Sequence, residues 1–227
     1  MNSEPFFRRN LPHWQPEGGT FFVTYRLAGT LPKSVIDDLK IERQRLMSLT
    51  KKPEYSEQEW NLRIEKKLFA IWDQYLDKSN SVKWLSEPCI AAIVQENLYS
   101  HADERYSLWA YVLMPNHVHV LLTPHLSSEM QIDKGSRLKR GALSSILHNL
   151  RGNTAYKANK ALGRTGSFWQ DEAYDHLVRD NNELQRIISY IENNPVKAGL
   201  AKKPEEWEFS SAYDRLQKEL KPFDRIV

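Results

Sequence analysis

His117-Val118-His119 lies inside the apolar run 111–123 (YVLMPNHVHVLLT) and constrains the fold more than any other stretch of the chain. A strand turns alternate side chains to opposite faces, so both imidazoles project from one face toward a common point. Neutral imidazoles converging in this way suit a divalent metal with open coordination positions. The pattern equally fits a strand that carries two half-buried histidines, because two ligands alone specify little.

Charge distribution says more than net charge, which is only +3. Between Lys134 and Arg164 stand eight basic residues (Lys134, Arg137, Lys139, Arg140, Arg151, Lys157, Lys160, Arg164) and no Asp or Glu. A one-sign field of that density repels itself unless a polyanion occupies it, which points to nucleic acid; the competing reading is a solvated helix face. With 227 residues, 41% of them hydrophobic, the chain is long enough for one well-buried domain. The single cysteine, Cys89, leaves no intrachain disulfide, fits a reducing cytosol and is expected in the core. No apolar stretch reaches signal-peptide length at the start or about eighteen residues elsewhere. The expectation is a soluble, cytoplasmic protein with no membrane partner.

Along the chain, residues 20–27 (TFFVTYRL) read as a first strand after Gly18-Gly19. A charged stretch follows, at about 32–82. Residues 35–49 and a segment opened by Ser56 with Glu59, carrying Trp60, Ile64, Leu68, Ile71 and Tyr75 at helical spacing, predict a helical hairpin broken at Pro53. A helix is expected to begin at Ser86-Glu87-Pro88 and to run through Ile90, Ile93, Val94 and Leu98, ending before Ser100. Two strands, 106–113 and 117–123, flank the turn Met114-Pro115-Asn116. Leu143, Ile146, Leu147 and Leu150 make the basic region helical, and residues 173–178 read as a fourth strand.

The last long helix opens with Asp180 and Glu183 as a capping pair, and Leu184, Ile187, Ile188 and Ile191 form its core stripe. Tyr190 and Asn194, four apart, share one side at the margin of that stripe. Pro195 predicts that the helix ends at or near Asn194. The order strand, helix, hairpin, helix, strand, helix is that of a ferredoxin-like α/β sandwich with an antiparallel sheet and an appended helix. We expect a single domain over 1–227, with a helical insertion at about 32–82 acting as a buttress and a tail at about 202–227 packing back through Trp207 and Phe209. Neither segment shows a catalytic grouping.

Four segments, RNLPHWQPEGGTFFVTYRL, MPNHVHVLL, FWQDEAYDHLVRD and ISYIENNPVKAGL, resemble the REP-associated tyrosine transposases, members of the single-strand, single-tyrosine HUH group; the resemblance spans about residues 8–200. It implies His117 and His119 as ligands of Mg²⁺ or Mn²⁺ and Tyr190 as nucleophile. Asn194 matches the polar residue completing the metal site, where mobile relatives often carry the longer glutamine. It further implies a 5′-phosphotyrosyl intermediate, single-stranded and hairpin DNA from repetitive extragenic palindromes as partner, a monomer or homodimer, and a prokaryotic, nucleoid-associated setting.

Candidate DNA contacts are Arg151, Lys157 and Arg164 for phosphates, with Asn116, Arg179 and Lys197 near the same motifs. Trp169 and Phe168 are read either as a stacking platform for an unpaired base or as core. Asp175 and His176 match a recurrent pair of the family; they either orient the site or make a strand-end hydrogen bond. Tyr25 and Tyr111 are expected in the core, and Tyr156 is a further stacking candidate. Two alternatives stand beside the nuclease reading. One is a hairpin-binding protein without useful cleavage. The other, a metal hydrolase of the amidohydrolase type, needs roughly 250 residues of repeated βα units and further ligands that are not evident.

Overall fold

The computed structural model describes residues 18–125 and 142–227. Strands β1 (Phe21–Leu27), β2 (Tyr106–Leu113), β3 (His117–Pro124) and β4 (Trp169–Leu177) form an antiparallel sheet in the order β2-β3-β1-β4. The helices are α1 (Lys33–Met47), α2 (Glu57–Lys78), α3 (Pro88–Ser100), α4 (Ala142–Ala161), α5 (Asn181–Lys197) and α6 (Ser211–Gln217). This order and connectivity are those of the ferredoxin-like sandwich.

Both faces of the sheet are covered, which explains why β1 is buried along its whole length. Phe21, Val23, Tyr25 and Leu27 point into a cluster with Ile90, Val94 and Leu98 of α3 and Leu143, Ile146 and Leu150 of α4. Phe22 on the other face packs with Leu68 and Leu76 of α2 and Ile188 and Ile191 of α5. Each fully buried aliphatic side chain of this kind contributes about 1.5–3 kcal/mol. The second face also carries buried Thr24, Arg26, His117 and His119, polar groups that a purely structural layer has no use for.

The charged stretch after β1 contains α1 and α2. Ser56 caps α2 with a reciprocal box, Glu59 N–H donating to Ser56 Oγ at 3.2 Å and Ser56 N–H to Glu59 Oε2 at 2.8 Å. Between β2 and β3, Met114 N–H bonds His117 O at 2.9 Å, closing the reversal at Pro115-Asn116. The tail returns to the outer edge of the sheet. Trp207 Nε1 donates to Leu113 O at 2.9 Å, and Leu108 N–H bonds Val227 O at 2.7 Å, so the terminal residues pair with edge strand β2.

Three expectations are corrected. Cys89 is exposed, because it sits in the first turn of α3 while Ile90, Ala91, Val94 and Leu98 take the inward positions. β4 begins at Trp169, four residues earlier than alternation alone suggested, since Trp169 pairs with Leu27 across a bulge. Helix α5 does not stop at Asn194 but runs through Pro195 to Lys197. Proline removes one N–H near the helix end, and the last carbonyls are capped regardless: Gly199 (φ 71°) donates to Val196 O at 3.0 Å and Leu200 to Pro195 O at 2.8 Å. Lys134, Arg137, Lys139 and Arg140, with residues 8–17 of the opening motif, lie outside the described residues.

Candidate active site

His117 and His119 are fully buried on the α2/α5 side of the sheet, opposite Arg26 and Thr24 of β1, and their Nε2 atoms stand 3.1 Å apart. Each ring is held from behind. Asn116 Nδ2 donates to Leu76 O at 2.9 Å, so its Oδ1 faces His117 Nδ1 at 2.6 Å and can only accept. That bond places the proton of His117 on Nδ1 and leaves the Nε2 lone pair pointing into the site. Thr24 Oγ1 holds His119 Nδ1 at 2.7 Å. Burial, reinforced by His119, keeps the His117 pKa well below the usual histidine range, so His117 is neutral.

The third group comes from the charged stretch after β1, where no catalytic grouping is evident in the sequence. Asp73 of α2 is 1% exposed, and its Oδ1 lies 3.3 Å from His119 Nε2. Asp73, His117 and His119 each offer a ligand atom, all within 4.8 Å of one another. Burial would raise the Asp73 carboxyl, but bonding and charge from His119, charge from His117, and Lys197 together hold it well below the usual carboxylate range. α2 therefore contributes a side chain to this cluster. A signal for it existed: Phe69, Asp73 and Leu76 fall on one helical stripe, and a carboxylate among core positions is uncommon.

From α5, Asn194 and Tyr190 converge on the same point. Asn194 is 0% exposed; its Nδ2 lies 3.3 Å from His119 Nε2, and its Oδ1 has no hydrogen-bond partner among the described residues. Tyr190 Oη donates to Asp73 Oδ2 at 2.6 Å, and Lys197 Nζ reaches the same oxygen at 2.8 Å and Asp77 Oδ2 at 3.1 Å. The Tyr190 ring is braced edge-on against Phe22, Phe69 and His119. Burial, then the Asp73 charge and hydrogen bond, raise its pKa, so it rests as a phenol aimed at the carboxylate.

The structure thus brings His117, His119, Tyr190, Asn194 and Lys197 together, whereas the other named residues divide. Lys157 is exposed on α4, beside Tyr156 at 72% exposure. Arg164 stacks on Trp84 at 3.9 Å and donates to Asn159 Oδ1. Arg151 donates to the carbonyls of Gln170 and Asp171, tying α4 to β4. Arg179 grips Glu183 through two nitrogens, each at 3.2 Å. Asn116 is 2% exposed and sits behind His117. Trp169 is not an exposed platform: it is 5% exposed, packs edge-on to Tyr25 at 4.8 Å, and donates from Nε1 to Thr154 Oγ1 at 2.9 Å. Phe168 is likewise core. Asp175 and His176 face opposite sides of β4, as neighbours on a strand must. His176 Nε2 lies 3.2 Å from Glu183 Oε1, and burial pushes Asp175 up to about 6.

No family model matches the sequence. Over 115 residues (51% of this chain) it is 26% identical to a protein of Haemophilus influenzae described as a putative REP-associated tyrosine transposase. Over 122 residues (54% of this chain) it is 27% identical to a REP-associated tyrosine transposase of Escherichia coli K12. The matched part spans 64% of the length of each relative. A solved REP-associated tyrosine transposase bound to a REP hairpin shares the fold, with a TM-score of 0.53 and 17% identity, covering 99% of this chain and 90% of that one. No helix among the described residues is long and apolar enough to cross a membrane. The chain is thus similar in sequence to these two curated REP-associated tyrosine transposases and shares the fold of the solved one.

Proposed function

We propose that the chain is a metal-dependent single-stranded DNA endonuclease and strand transferase that acts on hairpin-forming DNA through a 5′-phosphotyrosine at Tyr190. The observation that carries this reading is the convergence of Tyr190, Asp73, His117, His119 and Asn194 on one buried point. The relatives' descriptions and the hairpin held by the structural neighbour support DNA as the partner.

The residues fit a small divalent ion. Two ligands at right angles around an ion at about 2.1 Å stand about 3.0 Å apart, and the spacings here are 3.1 and 3.3 Å. The Nε2 lone pair of His117 and Asp73 Oδ1 face a common centre, and the unpartnered Asn194 Oδ1 joins them by a half-turn of its amide. Two imidazoles with carboxylate and amide oxygens match Mg²⁺ or Mn²⁺ with positions left for phosphate and water. When bound, such an ion withdraws charge from the scissile phosphate and orients it.

The chain's own groups do the rest. Asp73 Oδ2 aims the Tyr190 hydroxyl. As the Oη–P bond forms, the P–O3′ bond breaks, and the phenolic proton passes along the existing hydrogen bond to Asp73 Oδ2. A phenol gaining a bond to phosphorus becomes strongly acidic, so this transfer turns downhill as the bond forms. The departing 3′ oxygen takes a proton from water. Lys197 balances the charge of Asp73 and Asp77 throughout. Because the phosphotyrosyl ester retains the bond energy, attack by a 3′-hydroxyl rejoins strands without an external energy source.

The test is incubation of labelled hairpin-bearing single strands with the protein and Mn²⁺ or Mg²⁺, followed by denaturing gels. A covalent adduct that needs metal and is lost in Tyr190→Phe is expected. Retarded DNA in native gels with no adduct for the unaltered protein contradicts the nuclease reading and leaves a hairpin-binding protein.

A further inference from the structure

Lys197 stands where α5 ends, two turns beyond Tyr190 and on the same face, with Asn194 between them. It reaches this place because the helix continues through Pro195. Its Nζ lies 2.8 Å from Asp73 Oδ2, the oxygen that also accepts the Tyr190 hydroxyl at 2.6 Å, and 3.1 Å from Asp77 Oδ2. The same ammonium stands 5.7 Å from the centre of the Tyr190 ring. A lysine near a helix end commonly serves only the macrodipole or an ion pair. Here two features go further. The ammonium has three N–H donors, of which the two carboxylates take two, and its side chain is 45% exposed, so the third meets solvent. Of the groups that meet at Oδ2, Asp73 is 1% exposed and Tyr190 is partly buried, which leaves Lys197 as the one open to an incoming strand.

The inference rests on the proposed nuclease function, which brings a phosphate to the Tyr190 hydroxyl. Two donors that share one carboxylate oxygen stand about 4–5 Å apart. Phosphorus in attacking position lies about 3–3.5 Å from Oη with the P–O3′ bond in line, so its non-bridging oxygens lie to the sides, and the one toward Lys197 comes within hydrogen-bond reach of Nζ. We infer that Lys197 is a catalytic residue that donates to a non-bridging oxygen of the scissile phosphate and tightens this bond as Tyr190 attacks. The cause is a transfer of charge. As the Oη–P bond forms, Asp73 Oδ2 takes the phenolic proton and becomes a weaker partner for the ammonium, while the non-bridging oxygens gain negative charge; the P–O3′ bond breaks and O3′ takes a proton from water. Lys197 keeps its own proton and its bond to Asp77, and the donor released by Asp73 strengthens the hold on phosphate when the charge there is greatest. An interaction that is stronger in the transition state than in the bound state raises the rate more than the affinity.

The test is single-turnover adduct formation on hairpin-bearing strands whose scissile phosphate, located from the wild-type cleavage product, carries oxygen or a single sulfur in either non-bridging place. Sulfur is a poor hydrogen-bond acceptor, and Mn²⁺ takes it as a ligand more readily than Mg²⁺, so slowing that persists in Mn²⁺ marks an oxygen held by the protein. The wild-type protein is expected to react at least about fivefold more slowly on one sulfur isomer in Mn²⁺. Lys197→Met is expected to lower the rate at saturating DNA about 10–100-fold, to change DNA affinity less than about threefold, and to react equally fast with that isomer and the oxygen strand. Lys197→Gln, which keeps a neutral donor, is expected to fall between the two proteins. A Lys197→Met rate within about threefold of wild type, or wild-type sulfur ratios in that variant, overturns the assignment and leaves Lys197 to charge balance alone. Equal wild-type rates on the oxygen strand and both sulfur isomers in Mn²⁺ overturn it even if the variants fail to fold. Absence of any adduct with the wild-type protein overturns the proposed function and this assignment with it.

Discussion

Tyr190 Oη donates to Asp73 Oδ2 at 2.6 Å, joining residues 117 positions apart on α5 and α2. The charged stretch after β1 therefore packs a carboxylate against the tyrosine of α5. Asp73→Asn preserves the shape but removes the negative ligand and the charge that helps to raise the Tyr190 pKa. We expect Mn²⁺ affinity, read by calorimetry, to fall at least about tenfold, with the Tyr190 pKa moving down toward its ordinary value. Unchanged affinity contradicts Asp73 as a ligand.

Asn116 acts on the site without touching the ion. Its Oδ1 fixes the proton of His117 on Nδ1. Both Asn116→Asp and Asn116→Leu lose the Nδ2 donor to Leu76 O, which keeps the Ser79 N–H, but only the aspartate retains the acceptor facing His117. Metal affinity is expected to drop about 10–100-fold in the leucine variant and to remain closer to wild type in the aspartate variant. Equal losses in the two variants contradict the tautomer role.

Trp169 separates a core residue from a base platform. Trp169→Ala is expected to cost about 3–5 kcal/mol of stability in denaturant unfolding, since it loses its contacts with Tyr25 and Phe168 and its bond to Thr154. Folded variant protein should bind hairpin DNA as the wild type does. A stable variant with weakened DNA binding contradicts the core assignment.

Asp175 provides a pH signature. Burial raises its folded pKa to about 6 from an ordinary 3.8, so between these values the native state holds more protons than the unfolded chain. Its stabilising contribution is fully present below about pH 4 and is lost as pH rises to about 6. Asp175→Asn removes this dependence. The variant's stability relative to wild type should increase from pH 4 to pH 7 by an amount on the order of 2 kcal/mol. A relative stability independent of pH contradicts an ionisable group held in a dry position.

Much of this architecture is legible in the sequence because its signals are local. The β-branched and aromatic run at 20–27 after Gly18-Gly19, the Pro-Asn reversal at 115–116 and the Ser56–Glu59 box each act within a few residues, and each forms as read. His117, His119, Tyr190 and Asn194 converge because strand and helix periodicity fix which side chains share a face. What escaped was set by tertiary contact. The spacing of Phe69, Asp73 and Leu76 places Asp73 on the core stripe of α2, but that it meets His119 is decided only once α2 lies over the sheet. For Trp169 the residues alone left a base platform and a core position both open, and the extension of β4 to its pairing with Leu27 places it in the core. Pro195 argued for a helix end, but the capped turn through Gly199 and Leu200 keeps α5 helical to Lys197.

The central claim is that Tyr190 is the residue that becomes bonded to DNA, and peptide mass spectrometry after reaction with hairpin DNA and Mn²⁺ tests it most directly. Tryptic cleavage after Arg186 and at Lys197 gives the segment IISYIENNPVK, in which Tyr190 is the single tyrosine. The account predicts a nucleotide phosphate mass on that tyrosine. Cleaved strands with the modification on another residue, or on none, contradict it.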